Sequence, residues 1–305
     1  MQTQWGDIRI SDAHVHFFSH GFFSALAAQR KSSFEDLQPI LDWQLPPADP
    51  NQLADRWVAE LDRYGVSRAA LIASVPGDEA SVAAAVTRHP DRFYGFFMVN
   101  PILAFLETHV ASALSSGALQ GICLFPAMHR YSVQDPRLTP LFDIAAAHPG
   151  TVVFVHCGVL SVGVRKKLGL PSHFDMRFSN PIDLHSVAMQ FPNLNFVVPH
   201  FGAGYFREAL MLCDLCPNVY LDTSSTNNWM RYDGLDLKTV FARALDVAGA
   251  SRLLFGTDSS FFPCGWNSGV FEAQARALLE LGIGAEDARS IFGGNLERLF
   301  GSAGD

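Results

Sequence analysis

No run of about 20 apolar residues, the length a helix needs to cross a bilayer, occurs anywhere in this chain. The opening MQTQWGDIRI also lacks a charged leader followed by an apolar stretch, so the expectation is a soluble, cytoplasmic protein with no membrane partner. Basic residues are few. Lys and Arg total 22 against 30 Asp and Glu, the formal net charge is −8, and no cationic run exceeds Arg165-Lys166-Lys167. A nucleic-acid partner needs a dense positive face, which this composition does not supply. Cysteine is scarce as well. Cys123, Cys157, Cys213, Cys216 and Cys264 are odd in number and unevenly spaced, which argues against a disulfide framework. Cys213 and Cys216 form a lone C-x-x-C before Pro217, without the second pair that a structural zinc motif brings.

What is present suits a large buried core. Hydrophobic residues make up 49% of the 305 and charged ones 17%, and the mean hydropathy is +0.13. Short runs rich in Val, Ile, Leu and Phe alternate with longer amphipathic segments, the pattern of βα units. The runs that read as strands are 8–15, 69–74, 94–99, 121–125, 152–156, 195–200, 219–222 and 253–258. Between them, apolar residues recur at three- and four-residue intervals over 51–64, 79–89, 104–115, 138–148, 204–215, 237–248 and 269–281. Eight strands alternating with helices predict an α/β fold, a (β/α)8 TIM barrel forming a single domain over 1–305. Two connections are overlong, at about 17–49 and 158–180, and the first is studded with Phe17, Phe18, Phe22, Phe23, Phe34 and Trp43. Loops of this length on a compact barrel are more often lids or binding loops than spacers.

Active sites of such barrels sit at the carboxyl ends of the strands. In SDAHVH, His14 and His16 end the first strand and share one of its faces, because side chains alternate along an extended chain. His156 ends the fifth strand in VVFVHCG, His200 the sixth in NFVVPHFGAG, and Asp258 the eighth in LLFGTDSS. A single buried imidazole is ordinarily a satisfied core residue. Four imidazoles and a carboxylate at one end point instead to a divalent metal, for which these ligand types are suited.

In that order, these motifs and CPNVYLDTSS resemble the amidohydrolase superfamily over nearly the whole chain, in the amidohydrolase-related branch that includes aminocarboxymuconate-semialdehyde decarboxylase. The resemblance implies one divalent metal, most plausibly zinc, held by His14, His16, His156 and Asp258. It also implies that His200 stands beside the metal as a catalytic group and that Asp258 shuttles a proton. Three imidazoles and one carboxylate leave a position for water, as catalysis requires. The family often carries a lysine and a histidine in the fourth strand, in a stretch like G-I-K-L-H-P. Here the stretch reads GICLFP, with Cys123 and Phe125 in those places, so a lysine-bridged pair of metals is not expected and Cys123 reads as a small core residue.

The expected activity is hydrolysis of a small-molecule amide, ester, lactone or activated carbon–carbon bond by metal-activated water. One alternative keeps the site and removes CO2 from an aromatic or muconate-like acid. Another is a barrel that binds a small molecule without catalysis. Phe17, Asn100, Arg165, Arg177 and Trp266 are expected to touch substrate, and Asp12 to orient a ligand or serve as an ordinary strand-start carboxylate. By analogy with related barrels, a homodimer is an allowed assembly.

Overall fold

The computed structural model describes residues 1–102, 106–225 and 227–301. Eight parallel strands form its centre: β1 Ile10–Phe17, β2 Val66–Ala73, β3 Phe93–Val99, β4 Gly121–Leu124, β5 Val152–Val155, β6 Asn195–Val198, β7 Val219–Asp222 and β8 Leu253–Leu254. Their order in the sheet is their order in the chain. The seam between β8 and β1 closes through hydrogen bonds from Ala13 N to Phe255 O at 2.8 Å, His16 N to Ser259 O at 2.7 Å and Asp258 N to His14 O at 3.0 Å. The result is the expected α/β barrel, with helices between the strands. Residues 104 and 105 of the expected helix 104–115 lie outside the described residues, and the helix itself runs Leu106–Ser115.

Alternation divides each strand between two cores. Val15, Phe17, Val153 and Val155 pack outward with the surrounding helices, whereas Ile72, Met98, Cys123 and Phe154 fill the barrel. Cys123 is fully buried there, and burial pushes its thiol well above its ordinary pKa. A small core residue is therefore what it is. The helix Asn295–Gly301 sends Leu296, Leu299 and Phe300 into the inner core. Phe300 stacks on Tyr94 at 4.5 Å, near the amino end of β3, and so seals the end of the barrel opposite the mouth.

Strand β8 is two residues long rather than the six expected. The chain leaves the ladder because Phe255 N bonds to Ile291 O, and because the Asp12 carboxylate takes the N–H of Thr257 at 3.1 Å and its hydroxyl at 2.5 Å. An unexpected two-stranded antiparallel hairpin, Gln2–Thr3 with Gly6–Asp7, precedes β1.

The two long connections are not structureless. The first carries a helix, His20–Arg30, whose amino end is capped by Ser19 Oγ accepting from Phe22 N at 3.0 Å. The second carries the short helix Gly163–Lys167. Phe22, Phe23, Leu26, Leu41 and Trp43 from the first pack with Val164 and Leu168 from the second in a hydrophobic core of their own. Together they form a cap on the carboxyl mouth.

Candidate active site

Two residues apart on β1, His14 and His16 put their Nε2 atoms 3.3 Å from each other. Asp258 Oδ1 lies 3.6 Å from the first and 3.2 Å from the second. In a tetrahedral site with bonds of about 2.1 Å, ligand atoms stand about 3.4 Å apart. The three observed separations match that spacing, so these side chains are positioned to share one cation.

The chemistry on the far side of each ring agrees. His14 Nδ1 donates to Asp222 Oδ2 at 2.6 Å. Ser74 Oγ, 2.7 Å from His16 Nδ1, gives its own hydrogen to Ile72 O at 3.0 Å, so it accepts from His16 Nδ1–H. Both partners leave the lone pair on Nε2, facing Asp258. Three acceptor atoms facing one another repel unless a cation or a proton sits among them. Burial opposes charge on His14, but Asp222 and then Asp258 outweigh it and hold that imidazole above its ordinary pKa. Burial likewise works to raise Asp258, yet the neighbouring His16, His14 and His200 imidazoles outweigh it and keep the carboxyl well below the carboxylate range.

His156 and His200 flank the trio, each 5% exposed. The His156 ring stacks on Phe125 with centroids 5.4 Å apart. Its Nδ1 is buried without a hydrogen-bond partner among the described residues. Burial first, then the charges of His200 and His14, push its pKa well below the ordinary value, so it is a neutral imidazole with a free nitrogen. His200 has its centroid 5.0 Å from that of His14 and its Nδ1 2.9 Å from Ser224 Oγ. Burial lowers its pKa as well.

Local backbone geometry explains the motifs. His200 (φ 54°) and Asp258 (φ 60°) both adopt the left-handed conformation, which costs a non-glycine residue about 1–2 kcal/mol and turns each side chain off the line of its strand. Gly158, at φ 76°, allows a close approach: a Cβ there would lie 2.2 Å from Gly202 O. That contact, with Val159 N donating to Ala203 O at 2.8 Å, ties the turn after His156 to the turn after His200. At Gly256 a Cβ would come within 2.7 Å of Asp222 Oδ1, so only glycine fits beneath the site.

Asp12 acts on the backbone of His14 rather than on its imidazole. Its carboxylate accepts from His14 N at 2.9 Å, from Thr257 and from the indole N–H of Trp266 at 2.8 Å. Burial raises it to about 6 against those bonds. It thus clamps the start of β1 to the turn carrying Asp258.

Above the trio opens a cavity of about 670 Å3. Of the five residues expected to touch substrate, Arg165 alone is in its described wall. Phe17 is fully buried in the outer core, because it follows His16 and therefore faces the other way. Trp266 is 1% exposed and bound to Asp12. Arg177 is paired with Asp175 at 2.6 Å on the surface, and Asn100 Oδ1 accepts from Ile102 N at 3.2 Å. These four serve packing, surface pairing or a turn. Asp222 and Ser74 received no role from sequence reasoning, although both lie at strand ends where the same rule applies.

The chain matches the amidohydrolase family over residues 11–302. Among curated proteins it is 36% identical over 85 residues to Protein fluG of Emericella nidulans, a segment that is 28% of this chain and 10% of that protein. A probable 2-pyrone-4,6-dicarboxylic acid hydrolase from Acinetobacter baumannii, solved with citric acid, superposes with a TM-score of 0.62 at 13% identity, covering 96% of this chain and 100% of that one. An amidohydrolase from Burkholderia multivorans, solved with zinc, gives 0.56 at 16% identity over 96% and 99%.

Proposed function

The chain belongs to the amidohydrolase family, and from that premise we propose that it is a metal-dependent hydrolase of a small-molecule amide, ester, lactone or activated carbon–carbon bond. The observation that carries the reading is the meeting of His14 Nε2, His16 Nε2 and Asp258 Oδ1 at 3.2–3.6 Å, each a lone pair facing the others. His14, His16 and Asp258 would hold one divalent cation, zinc in this reading, with His156 in the adjoining wall as a fourth ligand. Once bound, such a cation supplies Lewis acidity, which makes water nucleophilic near neutral pH.

The protein's own groups do the remaining work. Asp258 is held as a carboxylate, so it can take the proton of the attacking water and return it to the leaving group. His200 stands beside the trio, its Nδ1 2.9 Å from Ser224 Oγ and 3.4 Å from the Ser224 carbonyl oxygen, and in this reading it polarises the substrate's carbonyl oxygen as negative charge develops there. The cap limits the water that reaches this mouth. One barrel domain, located in the cytoplasm, belongs to the same reading.

Elemental analysis of purified protein tests it first, with about one equivalent of zinc or a similar metal per chain expected. Chelation should abolish turnover of a panel of esters, lactones and amides, and added metal should restore it. Metal-free protein with full activity would end the proposal. Arg130, exposed in the cavity wall, favours a second reading, decarboxylation of an aromatic acid. Release of CO2 from such acids, with esters and lactones inert, would establish that reading instead.

A further inference from the structure

The cavity wall next to the candidate centre is built of rings. Phe18 packs on His16 at 5.5 Å between centroids and Phe125 stacks on His156 at 5.4 Å. From Phe18 the aromatic surface continues without a break into the cap: to Phe22 at 4.1 Å, to Trp43 at 6.4 Å and from Trp43 to Phe261 at 3.8 Å. All of these rings line the cavity, and Asp258 is the sole carboxylate among the described lining residues.

Two of the three cations of the wall, Arg165 and Lys167, are turned toward the protein. Arg165 gives one N–H to Gln29 at 2.7 Å and another to Pro171 O at 2.6 Å. Lys167 points at Leu41 O, 3.4 Å away, and lies over the Trp43 ring at 5.4 Å. Arg130 is exposed, with Nε donating to His173 O at 3.0 Å. Arg165 and Lys167 therefore join the two halves of the cap to each other. A carboxylate seated against the Trp43 and Phe261 rings of the cap would lose its water there, while Arg165 and Lys167 are already engaged by Gln29, Pro171 O and Leu41 O.

We propose that this cavity selects a neutral substrate with an aromatic or comparably bulky apolar body, an aryl ester or aryl-substituted lactone, seated along Phe18, Trp43 and Phe261. Its turnover rests on the hydrolase reading, its binding does not. In the reaction, water forms a new bond to the carbonyl carbon, the acyl–oxygen bond breaks, and the displaced oxygen leaves with a proton as the alcohol.

The test uses metal-loaded full-length protein and matched pairs of aryl esters and lactones that differ only by a carboxylate on the ring. The neutral member should have kcat/KM at least about 100-fold higher, and Trp43→Phe and Phe18→Leu should raise KM for it about 5- to 20-fold. Binding is read separately, with neutral aryl alkyl ketones that cannot be hydrolysed, as quenching of the Trp43 share of tryptophan fluorescence; Trp43→Phe identifies that share. Quenching by neutral ketones without turnover of any ester or lactone supports the pocket assignment and overturns the hydrolase reading. Equal or better use of the carboxylated members, or tighter binding of carboxylated ketones, overturns the pocket assignment and leaves the hydrolase reading standing.

Discussion

The carboxylate of Asp222 and the Nδ1 of His14 lie 2.6 Å apart, 208 residues distant in the chain and both sealed from solvent. The pair fixes which nitrogen of His14 is protonated. It also joins the end of β7 to the end of β1 across the mouth, with Ser224 N donating to the other Asp222 oxygen at 2.6 Å.

Asp222→Asn removes the charge while keeping the shape. Metal affinity should fall about 10- to 100-fold, the usual effect of losing a carboxylate behind a ligating imidazole. Competition with a chromogenic chelator measures it, and unchanged affinity would mean that His14 needs no partner to ligate.

Ser224 Oγ stands 3.0 Å from His14 Nδ1 and 2.9 Å from His200 Nδ1. In Ser224→Ala, His200 loses the hydroxyl beside its Nδ1, so kcat should drop about 10-fold with KM little changed and the pH profile of kcat displaced. Ser224→Thr keeps the hydroxyl and should retain most of the rate. Loss of activity in both variants alike would assign Ser224 to packing.

For Asp258→Asn, kcat should fall by about 100- to 10,000-fold, because the amide cannot accept the proton of water. Circular dichroism should show the fold intact, since the ring of backbone hydrogen bonds at the seam does not use this side chain.

His129 lines the cavity with Nδ1 unpartnered among the described residues, and burial lowers its pKa to about 4. The native state therefore holds it neutral while the unfolded chain, with an ordinary imidazole near 6.5, takes up a proton first as pH falls. Its effect on stability is nil above pH 6.5 and grows unfavourable from there toward pH 4, reaching about 1–3 kcal/mol. Urea unfolding of His129→Gln at pH 7 and pH 4.5 should show a smaller acid-dependent loss than the parent protein.

Gly158→Ala forces a Cβ against the carbonyl oxygens of Gly202 and Ala203 in a left-handed backbone. A loss of about 2 kcal/mol or more is expected, and because the contact ties the His156 turn to the His200 turn, activity should fall further than stability. A midpoint of urea unfolding equal to that of the parent would show that the two turns separate freely.

Much of this arrangement was legible in the order of residues along the chain. Val15 between His14 and His16 places both imidazoles on one face whatever surrounds them, and apolar strands ending in His156, His200 and Asp258 mark one mouth of a barrel. The same alternation puts Phe17 on the outer face, yet its position beside an aromatic-rich loop suggested substrate contact. Trp266 misled for a related reason: a loop indole reads as a binding residue until its buried N–H is found on Asp12.

The chain's periodicity determined the barrel, its strand order and the side chains gathered at its mouth, because alternation and strand ends are local properties that each segment carries alone. Tertiary structure decided which partner each imidazole takes: Asp222 for His14, Ser74 for His16, Ser224 for His200. It also decided that the two long connections fold on each other as a cap whose cations face inward to its own carbonyls. Those pairings depend on distances between segments far apart in the chain, and no local pattern encodes them before the barrel closes.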